Sequence, residues 1–152
     1  MINFVYALHI LAAVIWVGGM FFAYQILRPV AASLLEPEVL LPLWKKVFQR
    51  FFPWVWVIIF VLPLSGYFIL FQRFQGFAHA PIYVHLMHTL GLVMIVIYLV
   101  LYFRPFKRLI QQVSAKNWSE AKIHLASIRK LVGFNTLIGL ITIAIASSKF
   151  IF

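Results

Sequence analysis

Three histidines lie inside apolar stretches of this sequence, where titratable side chains are costly and therefore usually have a function. His9 lies in the stretch nearest the N-terminus, and His85 and His88 lie together in a later one. Residues three positions apart share a helix face, so His85 and His88 could bind one metal ion. Because neutral imidazole is a common ligand for copper, iron and zinc, these histidines predict a metal centre.

Three kinds of site would account for the histidines, and the residues alone leave all three open. The first is a b-type haem held by imidazoles of the first and third helices, His9 and His85 with His88 as an alternative ligand, and its propionates could pair with Arg73 and Lys149. The second is a copper site near the outer surface, for which His79 in a loop could be a further ligand. In the third, the histidines form hydrogen bonds between helices and bind no cofactor.

The helix face around His9 carries small residues and one large aromatic residue. Ala12, Ala13, Trp16 and Gly19 follow His9 at three- and four-residue steps, which places them on one side of a helix. Small residues allow a neighbouring backbone or a flat cofactor to approach closely. This face is therefore predicted either to border the cofactor or to pack against another helix.

The composition is that of an integral membrane protein. Of 152 residues, 64% are hydrophobic and 11% are charged, which leaves too little polar surface for a soluble domain. A single membrane domain over residues 1–152 is expected. The absence of cysteine excludes thiolate metal sites and covalent haem attachment. No acidic residue lies in an apolar stretch, so carboxylate catalysis inside the membrane is excluded, and whether the chain is an enzyme stays open.

Four apolar stretches are long enough to cross a bilayer as helices, so the expected fold is an all-α membrane four-helix bundle. The N-terminal stretch lacks a basic start and is too long for a cleaved signal peptide. Arg28-Pro29 and Arg104-Pro105 are predicted to end the first and third helices. Amphipathic basic segments are predicted to form connecting helices at the cytoplasmic membrane surface. The predicted spans are residues 2–27, 53–71, 81–103 and 131–152, and the predicted connecting segments are 37–52 and 106–126.

The basic residues predict the orientation of the helices. The chain has thirteen Lys and Arg against three acidic residues, for a net charge of +10. Four of them lie between the first two spans and seven between the last two, while Arg73 alone lies between the second and third. By the positive-inside rule, both termini face the periplasm of a bacterial inner membrane. The charge thus indicates contact with the lipid bilayer rather than with nucleic acid.

A weak internal repeat relates the two halves of the chain. An offset of 76 residues superposes His9 on His85 and Arg28-Pro29 on Arg104-Pro105. Each histidine thus lies about 28 Å before its Arg-Pro pair along a helix. Two parallel helices of this design would place both imidazoles at one depth near the outer surface, where a metal could bridge them. In contrast, Asn135 is predicted to join helices nearer the cytoplasm, and His124 to lie in headgroups or solvent.

Four motifs, one from each span, resemble the bacterial copper-resistance protein D (CopD) family of small membrane proteins. The motifs are LHILAAVIWVGGMFF, LPLSGYFIL, YVHLMHTLGLVMI and IRKLVGFNTLIGLITIAIASS. The resemblance implies a four-helix membrane bundle with a role in copper homeostasis or transport. The resemblance leaves open whether the chain has a periplasmic copper or redox partner and whether it associates with a second copy of itself.

The layout is also similar to that of the HemJ-type protoporphyrinogen oxidases, which share a histidine followed by tryptophan and glycine in the first helix. That similarity rests on His9, Trp16 and Gly19. It implies a b haem with His9 as a ligand, in electron transfer or in haem biosynthesis. Those oxidases have a lysine shortly after the third-helix histidine, where this chain has Met87 and His88.

Overall fold

The computed structural model describes residues 1–148, which are helical almost throughout and contain no β-strand. Four helical rods are long and apolar enough to cross a membrane, and the all-α four-helix membrane bundle is confirmed. We call them the first span (Ile2–Leu34), second span (Pro37–Phe74), third span (Ile82–Ser114) and fourth span (Trp118–Ser148). Their elements are α1 Ile2–Phe21, a π-helical segment Phe22–Leu27, α2 Arg28–Leu34, α3 Pro37–Phe74, a 3₁₀ turn Phe77–His79, α4 Ile82–Leu101, a π-helical segment Tyr102–Phe106, α5 Lys107–Ser114 and α6 Trp118–Ser148.

The two Arg-Pro pairs do not end their helices, so that prediction was wrong. The first span continues past Pro29 to Leu34, and the third continues past Pro105 to Ser114. Proline lacks an N–H group, and its ring clashes with the carbonyl four residues earlier. A π-helical segment precedes or contains each of these prolines, and its wider turn relieves the clash. The prolines therefore change the winding of the helix rather than its length.

The amphipathic segments are continuous with the spans and are not separate connecting helices. The second span begins at Pro37, at a position in the first turn that suits proline. It therefore includes the whole segment predicted to lie on the membrane surface, with Pro53 and Pro63 inside the helix. At the end of the third span, α5 buries Leu109 and Val113 and exposes its charged residues.

The spans are longer than the hydrocarbon core of a membrane is thick. They contain 33, 38, 33 and 31 residues, or about 46–57 Å of helix, against about 30 Å of hydrocarbon. We call the end with the tight connections at 35–36 and 115–117 the basic end, because eleven Lys and Arg lie on the chain around them. The opposite end, which contains the N-terminus and the loop 75–81, we call the histidine end.

The bundle consists of two helical hairpins. The first span packs mainly against the second, and the third packs mainly against the fourth. Each hairpin consists of a span of 33 residues, a tight connection and a second span. This arrangement agrees with the internal repeat suggested by the sequence.

Aromatic residues form the core toward the basic end. Phe52 is 4% exposed, and its ring centroid lies 5.2 Å from that of Phe48, 4.6 Å from that of Phe106 and 5.5 Å from that of Tyr98. The largest fully buried side chains, which also lie from the bundle centre to the basic end, are Leu41, Leu109, Leu125, Ile128 and Val55. These buried rings and side chains are thus far from the histidines of the first and third spans.

Candidate functional site

A serine of the second span orients His9. The Nδ1 atom of His9 lies 2.7 Å from the Oγ atom of Ser65. The same hydroxyl lies 2.5 Å from the carbonyl oxygen of Val61 and 3.2 Å from that of Leu62. Because a hydroxyl has one proton, which it donates to a carbonyl, Ser65 Oγ accepts the hydrogen bond from His9 Nδ1–H. The Nε2 atom of His9 therefore carries a lone pair that can bind a metal ion.

The sequence of the second span makes room for this imidazole. Ser65 is 5% exposed, and a Cβ atom at Gly66 would lie 3.3 Å from Cε1 of His9. Two small residues therefore let the His9 ring lie close to the helix backbone. The sequence did not indicate this contact, because Ser65 and Gly66 belong to a different span from His9.

His85 and His88 lie around an aromatic ring from the loop. The ring centroid of Phe77 lies 5.6 Å from that of His85 and 5.0 Å from that of His88. In addition, Nε2 of His88 lies 2.9 Å from the hydroxyl oxygen of Tyr67. His85 is exposed and His88 is half-buried. The third span and the loop thus bring these two histidines together beneath Phe77.

The second span separates His9 from His88. Their partners, Ser65 and Tyr67, are two positions apart and therefore about 200° apart around the helix. Within residues 1–148, no group of three or more His, Cys, Asp or Glu side chains lies close enough to hold a metal ion. The structure thus describes two imidazole environments on opposite sides of one helix, and a shared centre for His9 and His85 stays a prediction.

The remaining predicted ligands and charges have separate contacts. His79 is exposed in the 3₁₀ turn. The guanidinium of Arg73 donates a hydrogen bond of 3.0 Å to the hydroxyl of Tyr6, a pairing that the sequence did not indicate. Lys149, predicted to pair with a haem propionate, lies outside the described residues.

The face that follows His9 packs against protein. Trp16 is 2% exposed, and its ring centroid lies 6.4 Å from that of Tyr98. A Cβ atom at Gly19 would lie 2.5 Å from the ring of Phe51. The small residue therefore gives space to a phenyl ring of the second span.

Two small cavities of the bundle, of about 10 and 20 Å³, lie away from the histidines, and no histidine lines either of them. Neither cavity is therefore a candidate site for the metal or the haem predicted at the histidines.

Comparison with known families identifies one match. The CopD family, described as copper resistance protein D, matches residues 45–149, which include most of the second span and the third and fourth spans. No curated protein and no solved structure matches the chain. The similarity to the HemJ-type oxidases stays a prediction.

Proposed function

Because this chain belongs to the copper resistance protein D family, we propose that it binds copper as cargo through imidazoles at the histidine end of its membrane bundle. The chain is a multi-pass membrane protein related to copper resistance. His9, His85 and His88 are the proposed ligands, and His79 is a further one from the loop. The charge distribution supports an inner-membrane location with this end facing the periplasm.

The hydrogen bond between His9 and Ser65 carries the proposal. Metal-binding histidines usually donate the N–H of the second ring nitrogen to a neighbouring acceptor, which fixes the tautomer and the ring orientation. Ser65 accepts this bond at 2.7 Å, so His9 Nε2 is oriented as a ligand before any ion arrives.

His85 and His88 suit the first contact with an incoming ion. Both lie near the loop at the histidine end, and His85 is exposed. The ring of Phe77 lies over both, so movement of the loop would open the pair. Two imidazole environments on opposite sides of the second span suit an ion that is passed on, and a periplasmic copper protein or redox protein would be the donor or acceptor.

Copper is preferred to haem because the family is described by copper resistance. The experiment that tests for copper also distinguishes two other functions, haem-based electron transfer and a scaffold without a cofactor.

The test is copper bound by the purified full-length chain. The protein is isolated in mild detergent from cells grown with added copper, and its copper is measured by elemental analysis. We expect the unchanged protein to contain copper, and His9→Ala and the double variant His85→Ala, His88→Ala to lose most of it. The matched control is His124→Ala, the same change at the basic end, which should retain copper.

Other outcomes would overturn the proposal. Copper that is absent from the unchanged protein, or lost equally in His124→Ala, excludes a copper site at the histidine end. A Soret band that disappears in His9→Ala would identify a haem protein instead. A purified protein that contains neither copper nor haem would support the function as a scaffold without a cofactor.

A further inference from the structure

A tyrosine of the second span faces a histidine of the third span at the histidine end. The hydroxyl oxygen of Tyr67 lies 2.9 Å from Nε2 of His88, and the two ring centroids lie 5.6 Å apart. Tyr67 is 38% exposed and His88 is half-buried, so neither ring is sealed inside the bundle. The pair therefore joins the two hairpins through atoms that also bind metals.

The distance between these two atoms matches two ligands of one metal ion. Imidazole nitrogen and side-chain oxygen atoms bind a first-row metal such as zinc at about 2.0–2.2 Å. With bonds of that length, two atoms 2.9 Å apart enclose an angle of about 90° at the metal. This is the angle of square-planar copper(II). A tetrahedral ion would instead separate the same atoms by about 3.3–3.5 Å.

A ligand other than imidazole would complete a site at this position. Within residues 1–148, no three His, Cys, Asp or Glu side chains lie close enough to hold a metal ion. The oxygen of Tyr67 adds a ligand of another type to His88, and His85 lies one helical turn earlier on the same face. The ring centroid of Phe77 lies 6.2 Å from that of Tyr67 and 5.0 Å from that of His88. One apolar ring thus lies beside both ligands.

We propose that Tyr67 is an oxygen ligand that makes the His88 site selective for copper(II), a role that rests on the proposed copper function. With its ring proton on Nδ1, His88 accepts the Tyr67 hydroxyl at Nε2. When Cu²⁺ binds, the O–H bond of Tyr67 breaks, copper bonds to the phenolate oxygen and to Nε2, and the proton passes to solution. No electron is transferred. The chain has no cysteine, so the thiolates that select copper(I) are absent, whereas nitrogen and oxygen ligands suit copper(II).

The test is a titration of the purified full-length chain, in mild detergent, with copper(II) chloride. A phenolate bound to copper(II) gives a charge-transfer absorption in the visible range, which imidazole ligands alone do not give. We expect this band in the unchanged protein and its loss in Tyr67→Phe. The same variant should bind copper(II) on the order of tenfold more weakly, while its copper(I) affinity, measured under reductant with a copper(I)-binding dye, should change little.

The matched control is Tyr6→Phe, which removes another tyrosine hydroxyl at the same end. That hydroxyl accepts the hydrogen bond of Arg73 and is not a proposed ligand, so the variant should keep both the band and the copper(II) affinity. Both variants retain the aromatic ring, and unchanged helical circular dichroism checks that each is folded.

The outcomes distinguish this role of Tyr67 from the copper function itself. Copper(II) that binds without the band, or with a band that persists in Tyr67→Phe, would overturn the phenolate ligand and leave the copper site in place. Loss of the band in Tyr6→Phe would overturn it as well. Equal losses of copper(I) and copper(II) affinity in Tyr67→Phe would overturn the selectivity. An unchanged protein that binds no copper would overturn both the copper function and this role.

Discussion

The histidine end and the basic end of the bundle differ in what their polar side chains contact. At the histidine end, His9 bonds Ser65, His88 bonds Tyr67 and Arg73 bonds Tyr6, each through a single hydrogen bond between two elements. At the basic end, one such bond joins Lys45 to Ser114 at 2.9 Å, and most other cations face outward.

The two ends also differ in packing. Toward the basic end, the rings of Phe52, Phe48 and Phe106 form a continuous buried cluster. At the histidine end, Tyr67 and His85 are exposed and Phe77 is half-buried. The difference indicates that the aromatic cluster stabilises the fold, while the side chains of the histidine end are less buried.

The largest expected effect is the removal of a phenyl ring from the aromatic cluster. Phe52→Ala should lower the free energy of unfolding by about 3–5 kcal/mol, because the ring is fully packed and leaves a cavity. The same change at Phe77 should lower it by less than about 1 kcal/mol. Denaturant unfolding in detergent, followed by circular dichroism, measures both. Equal losses would mean that the two ends contribute alike to stability.

The next effect concerns the orientation of His9. Ser65→Ala removes the acceptor of His9 Nδ1–H and should weaken copper binding by roughly 10–100-fold. A competition titration with a copper-binding dye measures the affinity. The control is Ser127→Ala, which removes an exposed serine that bonds within its own helix at 3.2 Å. Unchanged affinity in Ser65→Ala would show that the tautomer of His9 is irrelevant to the metal.

Adjacent glycines test the packing of the first span. Gly19→Ala places a Cβ atom 2.5 Å from the Phe51 ring, whereas Gly18→Ala meets nothing within 4 Å. Overpacking should make Gly19→Ala less stable by about 1–3 kcal/mol. Gly18→Ala should gain a few tenths to about 1 kcal/mol from helix propensity. A melting temperature of Gly19→Ala at or above that of Gly18→Ala would contradict the contact.

The smallest expected effect is the removal of a single tyrosine hydroxyl, at Tyr98 or at Tyr67. Tyr98 donates a hydrogen bond of 3.2 Å to the Phe52 carbonyl, and Tyr67 contacts His88. Tyr98→Phe should lower the free energy of unfolding by about 0.5–1.5 kcal/mol and leave copper binding unchanged. Tyr67→Phe should change copper binding and leave stability nearly unchanged. The free energy of unfolding and the copper affinity of both variants test this prediction. If Tyr67→Phe lowered stability and Tyr98→Phe changed copper binding, the roles of the two ends would be exchanged.

The sequence was sufficient to predict the number of spans and the fold class. Apolar length determines where a helix crosses a membrane, and the confirmed spans follow from it. The helix ends at Arg28-Pro29 and Arg104-Pro105 were predicted wrongly, because proline at these positions is accommodated by π-helical turns. A proline in the sequence does not by itself distinguish a helix end from a π-helical turn that lets the helix continue.

The partners of the histidines could not be predicted for a different reason. The helix around His9 is apolar on every side, and such a helix has no stripe that indicates which neighbour it faces. Ser65 and Tyr67 were visible as polar residues of the second span, but their roles depend on which spans are adjacent. The pairing into two hairpins therefore determines the site, and it is a property of the whole bundle.

The two π-helical segments have a consequence for related sequences. A turn bonded from residue i to i+5 contains one more residue than an α-helical turn, so each segment acts as an insertion within the helix. Deleting one residue there would restore an α-helical turn, which completes the same rotation with one residue fewer, so the helix beyond it would keep its orientation. Alignments of related chains should therefore show single-residue gaps just before Arg28-Pro29 and Arg104-Pro105, wherever the π-helical turn is replaced by an α-helical one and the basic end keeps its rotation.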